Sequence, residues 1–176
     1  MHIPHSKSKP HLTGKFFVFL LLISCLASCS SKKYSGNQLI VINGKIYQKG
    51  STKPFTGREI GKVRGMTIQY DVMNGLKDGE FKVFYSNGNL QMQGRMVNNK
   101  NEGLWKYYYN NSQLESEGNF KNDMPDGKWL WYYINGALKE HGFYLSGKRN
   151  GQWLVYDGTG NVVKELYFKD GIEVKK

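Results

Sequence analysis

Gly103-Leu104-Trp105-Lys106-Tyr107-Tyr108-Tyr109-Asn110-Asn111-Ser112-Gln113-Leu114, closed twelve residues later by Asp126-Gly127, is the stretch that decides the fold. Its frame returns every 24 residues: Gly79, Gly103, Gly127 and Gly151 each precede an aromatic two positions on (Phe81, Trp105, Trp129, Trp153). A second aromatic follows three positions later (Phe84, Tyr108, Tyr132, Tyr156). Self-similarity at such a period marks an array in which each unit buries its apolar surface against its neighbours.

Each unit reads as a β-hairpin. Trp105 to Tyr109 is an aromatic strand, Asn111-Ser112 a two-residue turn, and Leu114 to Phe120 the returning strand. Sister turns are Asn87-Gly88, Asn135-Gly136 and Thr159-Gly160. Asn-Gly suits a type I′ turn, which needs positive φ at both central residues. The next connection is expected at Glu102-Gly103, Asp126-Gly127 and Asn150-Gly151, with glycine there for its backbone freedom.

Counting outward from the turn predicts a register. Asn110 should face Gln113, Tyr109 should face Leu114, and Trp105 should face Gly118; by the same count Phe81 faces Gly94 and Trp129 faces Gly142. A ring lying over a strand glycine is a known stabilising pairing. In the last unit Trp153 meets Leu166 instead. Alternation places Trp105, Tyr107, Tyr109, Leu114 and Phe120 on one face. The other face carries a ladder of Phe84, Tyr108, Tyr132 and Tyr156, flanked by Gln91, Glu115, Lys139 and Val163. The expected fold is all-β: an elongated antiparallel meander of successive hairpins. The tryptophan row is assigned to stability and the tyrosine ladder is the candidate binding surface.

The chain start carries a different message. Lys7, Lys9 and Lys15 precede the apolar run Phe16 to Ile23, too short for a spanning helix of about 20 apolar residues. The run ends in Leu26-Ala27-Ser28-Cys29, which resembles a bacterial lipobox, with Cys29 as the lipidated residue; Cys25 also fits but would leave apolar Leu26 and Ala27 in the tether. The expected organisation is a lipoprotein signal peptide at 1–28, a tether at 29–38 and a degenerate capping repeat at 39–78. Four hairpin repeats follow at 79–168, then a tail at 169–176. Localisation would be the bacterial cell envelope, membrane-anchored through the N-terminal lipid.

Cleavage at Cys29 leaves no further cysteine, so disulfides and thiolate chemistry drop out. Of 25 basic residues three lie in 1–28, and none of the 14 acids does, so the net charge of +11 becomes +8. That favours anionic lipid, glycan or an acidic protein as partner. Nucleic acid is not expected for an exported chain. His141 is the only histidine after residue 28, so neither a His-rich metal site nor a His-based triad is available. Asp78, Asp126, Asp157 and Asp170 recur near turns, where carboxylates bond the backbone. We expect no enzyme, no metal and no cofactor.

The pattern Gly-x-Trp-x-x-Tyr-Tyr-x-Asn-Gly-x-Leu-x-x-x-Gly-x-Tyr over residues 79–168 is similar to MORN repeats in their bacterial variant, most of all to the YwqK-type toxin–antitoxin antitoxin family. The resemblance implies a non-catalytic hairpin array that binds protein or lipid. It leaves two roles open: a protein-binding scaffold or adaptor of the envelope, and an antitoxin or immunity component. Adhesion to anionic lipid or peptidoglycan, suggested by the charge, is a third.

Overall fold

A computed structural model describes residues 39–175. The expected signal peptide, Cys29 and the whole of the expected tether lie outside the described residues. Two short strands, β1 (Leu39–Ile42) and β2 (Lys45–Gln48), form a hairpin of their own. The remaining strands form one antiparallel sheet in strict chain order. They are β3 (Gly57–Val63), β4 (Met66–Met73), β5 (Leu76–Phe84), β6 (Leu90–Val97), β7 (Lys100–Tyr108) and β8 (Leu114–Lys121). Then come β9 (Met124–Tyr132), β10 (Leu138–Leu145), β11 (Lys148–Tyr156), β12 (Val162–Lys169) and β13 (Ile172–Val174). No helix occurs among the described residues. The segment read as a tail supplies β13, and the segment read as one capping repeat divides into the β1–β2 hairpin and the pair β3–β4, which extends the main sheet.

The expected pairs Phe81–Gly94, Trp105–Gly118 and Trp129–Gly142 are present, and Trp153 does oppose Leu166. The route to them differs from the sequence count. The Asn111 loop has three residues: Tyr109 N–H bonds the Gln113 carbonyl at 2.8 Å, and only Ser112 is left-handed, at φ 69°. This is the three-residue hairpin, a turn followed by one left-handed residue. It offsets the pairing by one, so Tyr108, not Tyr109, lies beside Leu114. A bulge at Glu115 then absorbs the offset and restores Tyr107–Ser116 and Trp105–Gly118. Gln91, Lys139 and Val163 are the corresponding bulge residues. The longer loop and the bulge offset each other, so the pairs beyond the bulge coincide with those the turn spacing predicts. The ladder's cross-strand neighbours are therefore Leu90, Leu114, Leu138 and Val162, and Leu114 belongs to the tyrosine face.

True two-residue turns stand at the opposite end of the strands. Asn74-Gly75, Asn98-Asn99, Asn122-Asp123, Ser146-Gly147 and Asp170-Gly171 each have positive φ at both residues, as type I′ requires. The glycines expected to make that connection instead lie within strands. Gly79, Gly103, Gly127 and Gly151 hold φ of 127°, 68°, 83° and 74° at sites where two extra residues bulge from the strand. A side chain there would be strained.

The core lies on the tryptophan face. Trp105, Trp129 and Trp153 are 1%, 0% and 0% exposed. Their cover comes from rings of the same face: Trp129 has Phe120 at 5.2 Å, Trp131 at 5.8 Å and Tyr144 at 6.1 Å between centroids. A continuous run of rings leads from Tyr70 through Phe81, Trp105, Phe120, Trp129 and Tyr144 to Trp153 and Phe168. Offset and edge-on ring pairs add about 0.5–1.5 kcal/mol each beyond their burial. Arg149 closes the run, its guanidinium 4.3 Å from the Trp153 ring.

Candidate functional site

Strand pairing, more than sequence proximity, assembles the tyrosine face. Directly paired residues project to the same side, so the pairs trace one row across the sheet: Gln69, Lys82, Gln93, Lys106, Glu117, Leu130, His141, Leu154 and Glu165. Beside it runs the row of Phe84, Tyr108, Tyr132 and Tyr156, all half-buried.

Each ladder tyrosine has its hydroxyl tied to the row. The Gln93 amide donates to Tyr108 at 3.1 Å, Tyr132 donates to the Glu117 carboxylate at 3.2 Å, and the Tyr156 hydroxyl lies 3.3 Å from His141 Nδ1. One amide, one carboxylate and one imidazole thus occupy the same place, 24 residues apart. Burial and the neighbouring Glu117 raise the Tyr132 hydroxyl above the usual tyrosine range. Burial, with Lys128 close by, lowers His141 below its ordinary value, which keeps the ring neutral at neutral pH.

A second tyrosine row went unread in the sequence. Tyr85, Tyr109 and Tyr133, placed just past the strand ends, donate to the carbonyls of Tyr108, Tyr132 and Tyr156 in the following hairpin, at 2.6, 2.7 and 2.8 Å. Their own 24-residue spacing was the available signal. The fourth position holds Asp157, whose carboxylate accepts from Thr159 and Asn161 within its own turn and is lowered to about 2 by those bonds. The turn carboxylates likewise serve structure: Asp78 accepts from Asn98 N–H, Glu102 from Asn122 N–H and Asp126 from Ser146 N–H.

The structural glycines act differently from the expectation. A Cβ built on Gly94, Gly118 or Gly142 would stand 2.1–2.2 Å from the ring of Trp105, Trp129 or Trp153. The closest ring over each glycine therefore comes from the next hairpin, not from the partner within the hairpin. Trp105 and Trp129 then donate their indole N–H to the carbonyls of Arg95 and Asn119, and Trp153 to the Glu140 carboxylate. The two faces part company here: tryptophans lock hairpin to hairpin, whereas the tyrosine face stays partly open to solvent.

This division is that of a repeat family. Compared with known protein families, residues 77–98, 101–122, 125–146 and 149–170 each match the MORN repeat variant. Those four blocks make up half the chain, which therefore belongs to the MORN repeat variant family, and such repeats are generally protein- or lipid-binding modules. A comparison with curated proteins finds no match. Among solved structures, one chain from a complex of an S. aureus TarM mutant with fondaparinux, alpha-GlcNAc-glycerol and UDP aligns over 76% of this chain and 27% of its own length. The two chains are 11% identical, with a TM-score of 0.23.

Proposed function

We propose that this chain is a non-enzymatic lipoprotein of the bacterial cell envelope, held to the membrane through Cys29 and acting as a protein-binding scaffold or adaptor. The tyrosine face is the binding surface. One observation carries the reading: the sheet hides its tryptophan face under its own rings and leaves the ladder face half-exposed, with apolar side chains such as Leu104, Phe143 and Leu145 standing in solvent. Exposed apolar surface arranged beside fixed hydroxyls is the composition of a docking surface.

The test is crosslinking in cells followed by capture of the chain. Tyr132→Ala is expected to abolish a specific crosslinked band, and Cys29→Ala to move the chain off the membrane. If Tyr132→Ala retains the full band, the ladder is not the site; if palmitate labelling survives Cys29→Ala and disappears in Cys25→Ala, the anchor has been placed on the wrong cysteine. A captured partner that poisons cells when expressed alone would make the role that of an immunity component.

A further inference from the structure

The tyrosine face is not uniform along the array, and the contrast identifies what docks there. Four ion pairs lie on the first half. Arg58 meets Asp71 at 2.7 Å and Glu80 at 3.1 Å; Lys82 meets Glu80 and Lys106 meets Glu117, both at 3.2 Å. These cations are already answered by carboxylates on the same face. From β9 onward the row loses its lysines: Leu130 and Leu154 occupy the places of Lys82 and Lys106 on either side of His141, Glu165 closes the row, and Phe143 occupies the place of Arg95. Phe143 and Leu145 are 46% and 57% exposed.

Around this apolar patch stand Lys128, paired with Phe143 in the sheet, Lys148, paired with Leu145, and Lys169 next along. None of the three has an ion-pair partner among the described residues. The second half of the face is thus an apolar centre with three lysines along its turn side, outside any ion pair with the described residues, and the single carboxylate of Glu165 at the far strand, where it accepts from Gln152 and Tyr167.

We infer that this half, centred on Leu130, Phe143 and Leu154, docks an amphipathic helix of a partner protein whose apolar stripe is flanked by acidic residues. The inference rests on the binding role proposed for the tyrosine face. The charge follows from the lysine rim: carboxylates would supply what the first half obtains from its own acids. The helix follows from backbone accounting. Backbone groups in the middle of a sheet are bonded to neighbouring strands, so a segment lying on the face must satisfy its own N–H and C=O groups, as a helix does. Strands β9 to β12 span about 14 Å at the usual interstrand spacing, enough for one helix of about 10–12 Å diameter. An anionic bilayer fits less well. Its headgroups would meet unpaired lysines at one end of the face only, because Arg58, Lys82 and Lys106 of the first half are already held by Asp71, Glu80 and Glu117.

The test is selection of binders from a display library of 18-residue helix-forming peptides on the full chain, with phosphatidylglycerol vesicles as a parallel probe. Selected peptides are expected to carry apolar residues at i, i+3, i+4 and i+7 with Asp or Glu on both flanks. Phe143→Ser should weaken the best peptide at least tenfold at every salt concentration. Lys128→Glu combined with Lys148→Glu should weaken it mainly at low salt and flatten its salt dependence. Both substitutions fall on exposed side chains, so unchanged circular dichroism is the control for folding, and Leu154→Glu serves as a second apolar variant if Phe143→Ser melts early. Selection of basic or featureless peptides, or of none, overturns the proposal. So does vesicle binding that these same variants abolish. Peptides that lack the acidic flanks but lose binding in Tyr132→Ala would leave the ladder as the site and defeat only the acidic-helix assignment.

Discussion

At the scale of single residues, the sheet is most constrained where an atom has no room or no partner. Gly118 has Trp129 where its Cβ would be, so Gly118→Ala must displace a buried indole. We expect destabilisation of about 1–3 kcal/mol, the usual range for overpacking, read as a lowered midpoint in urea. Trp129→Ala, which empties a fully buried site, should cost about 3–5 kcal/mol; an unchanged melting curve would contradict the burial assigned to it. Glu59 presents the opposite problem. It is 1% exposed, its Oε1 has no hydrogen-bond partner, and burial raises its carboxyl above the usual range. A folded-state pKa above the unfolded one means that this group's stability is intact at acid pH and is lost as pH rises through the folded value. Glu59→Gln should therefore raise the melting temperature at pH 7, with the gain fading below about pH 4, where the unfolded carboxyl is also protonated. A gain that grows on acidification would refute the assignment.

At the scale of elements, the joints between hairpins are built by three repeated devices: a tryptophan over the preceding glycine, a turn carboxylate on the next turn's N–H, and a tyrosine hydroxyl on the next hairpin's carbonyl. Tyr109→Phe removes only the last of these and leaves the Tyr132 carbonyl with one acceptor bond fewer. We expect a loss of about 1 kcal/mol, with faster amide exchange at the Asn110–Ser112 loop; unaltered exchange would show that the hydroxyl does not hold the joint. This is also the scale at which the sequence was least legible. The period, the hairpins and the glycine pairs could be read directly, because aromatic and glycine spacing record them. The loop length could not, because Asn111-Ser112 fits a two-residue type I′ turn and a three-residue loop alike, and the compensating bulge at Glu115 carries no residue signature of its own. Phe84, Tyr108, Tyr132 and Tyr156 recur on one face at equivalent places in each hairpin, but the fixed hydroxyls and the latch tyrosines appear only once neighbouring hairpins are set side by side.

At the scale of the whole molecule, every joint links units one period apart, so the sheet should tolerate changes of length that respect the phase. Deleting residues 103–126 would bring Trp129 into the place of Trp105 over Gly94. We expect that shortened chain to fold with a cooperative melt, and a deletion of 103–114, half a period, not to fold; equal behaviour of the two would mean that phase is not what holds the sheet.

One consequence follows from Leu166, the residue that stands where Gly94, Gly118 and Gly142 stand in the earlier units. Those glycines are vacancies kept open for a ring from the next strand, and leucine fills the last one. The chain in this sense keeps count: among the described residues three sockets are offered, three indoles are seated, and the fourth position is taken by a side chain of its own strand. The period thus records a change of seat: where glycine admits the ring of the following hairpin, leucine supplies the cover itself, and β13 takes its place beside β12 without a tryptophan.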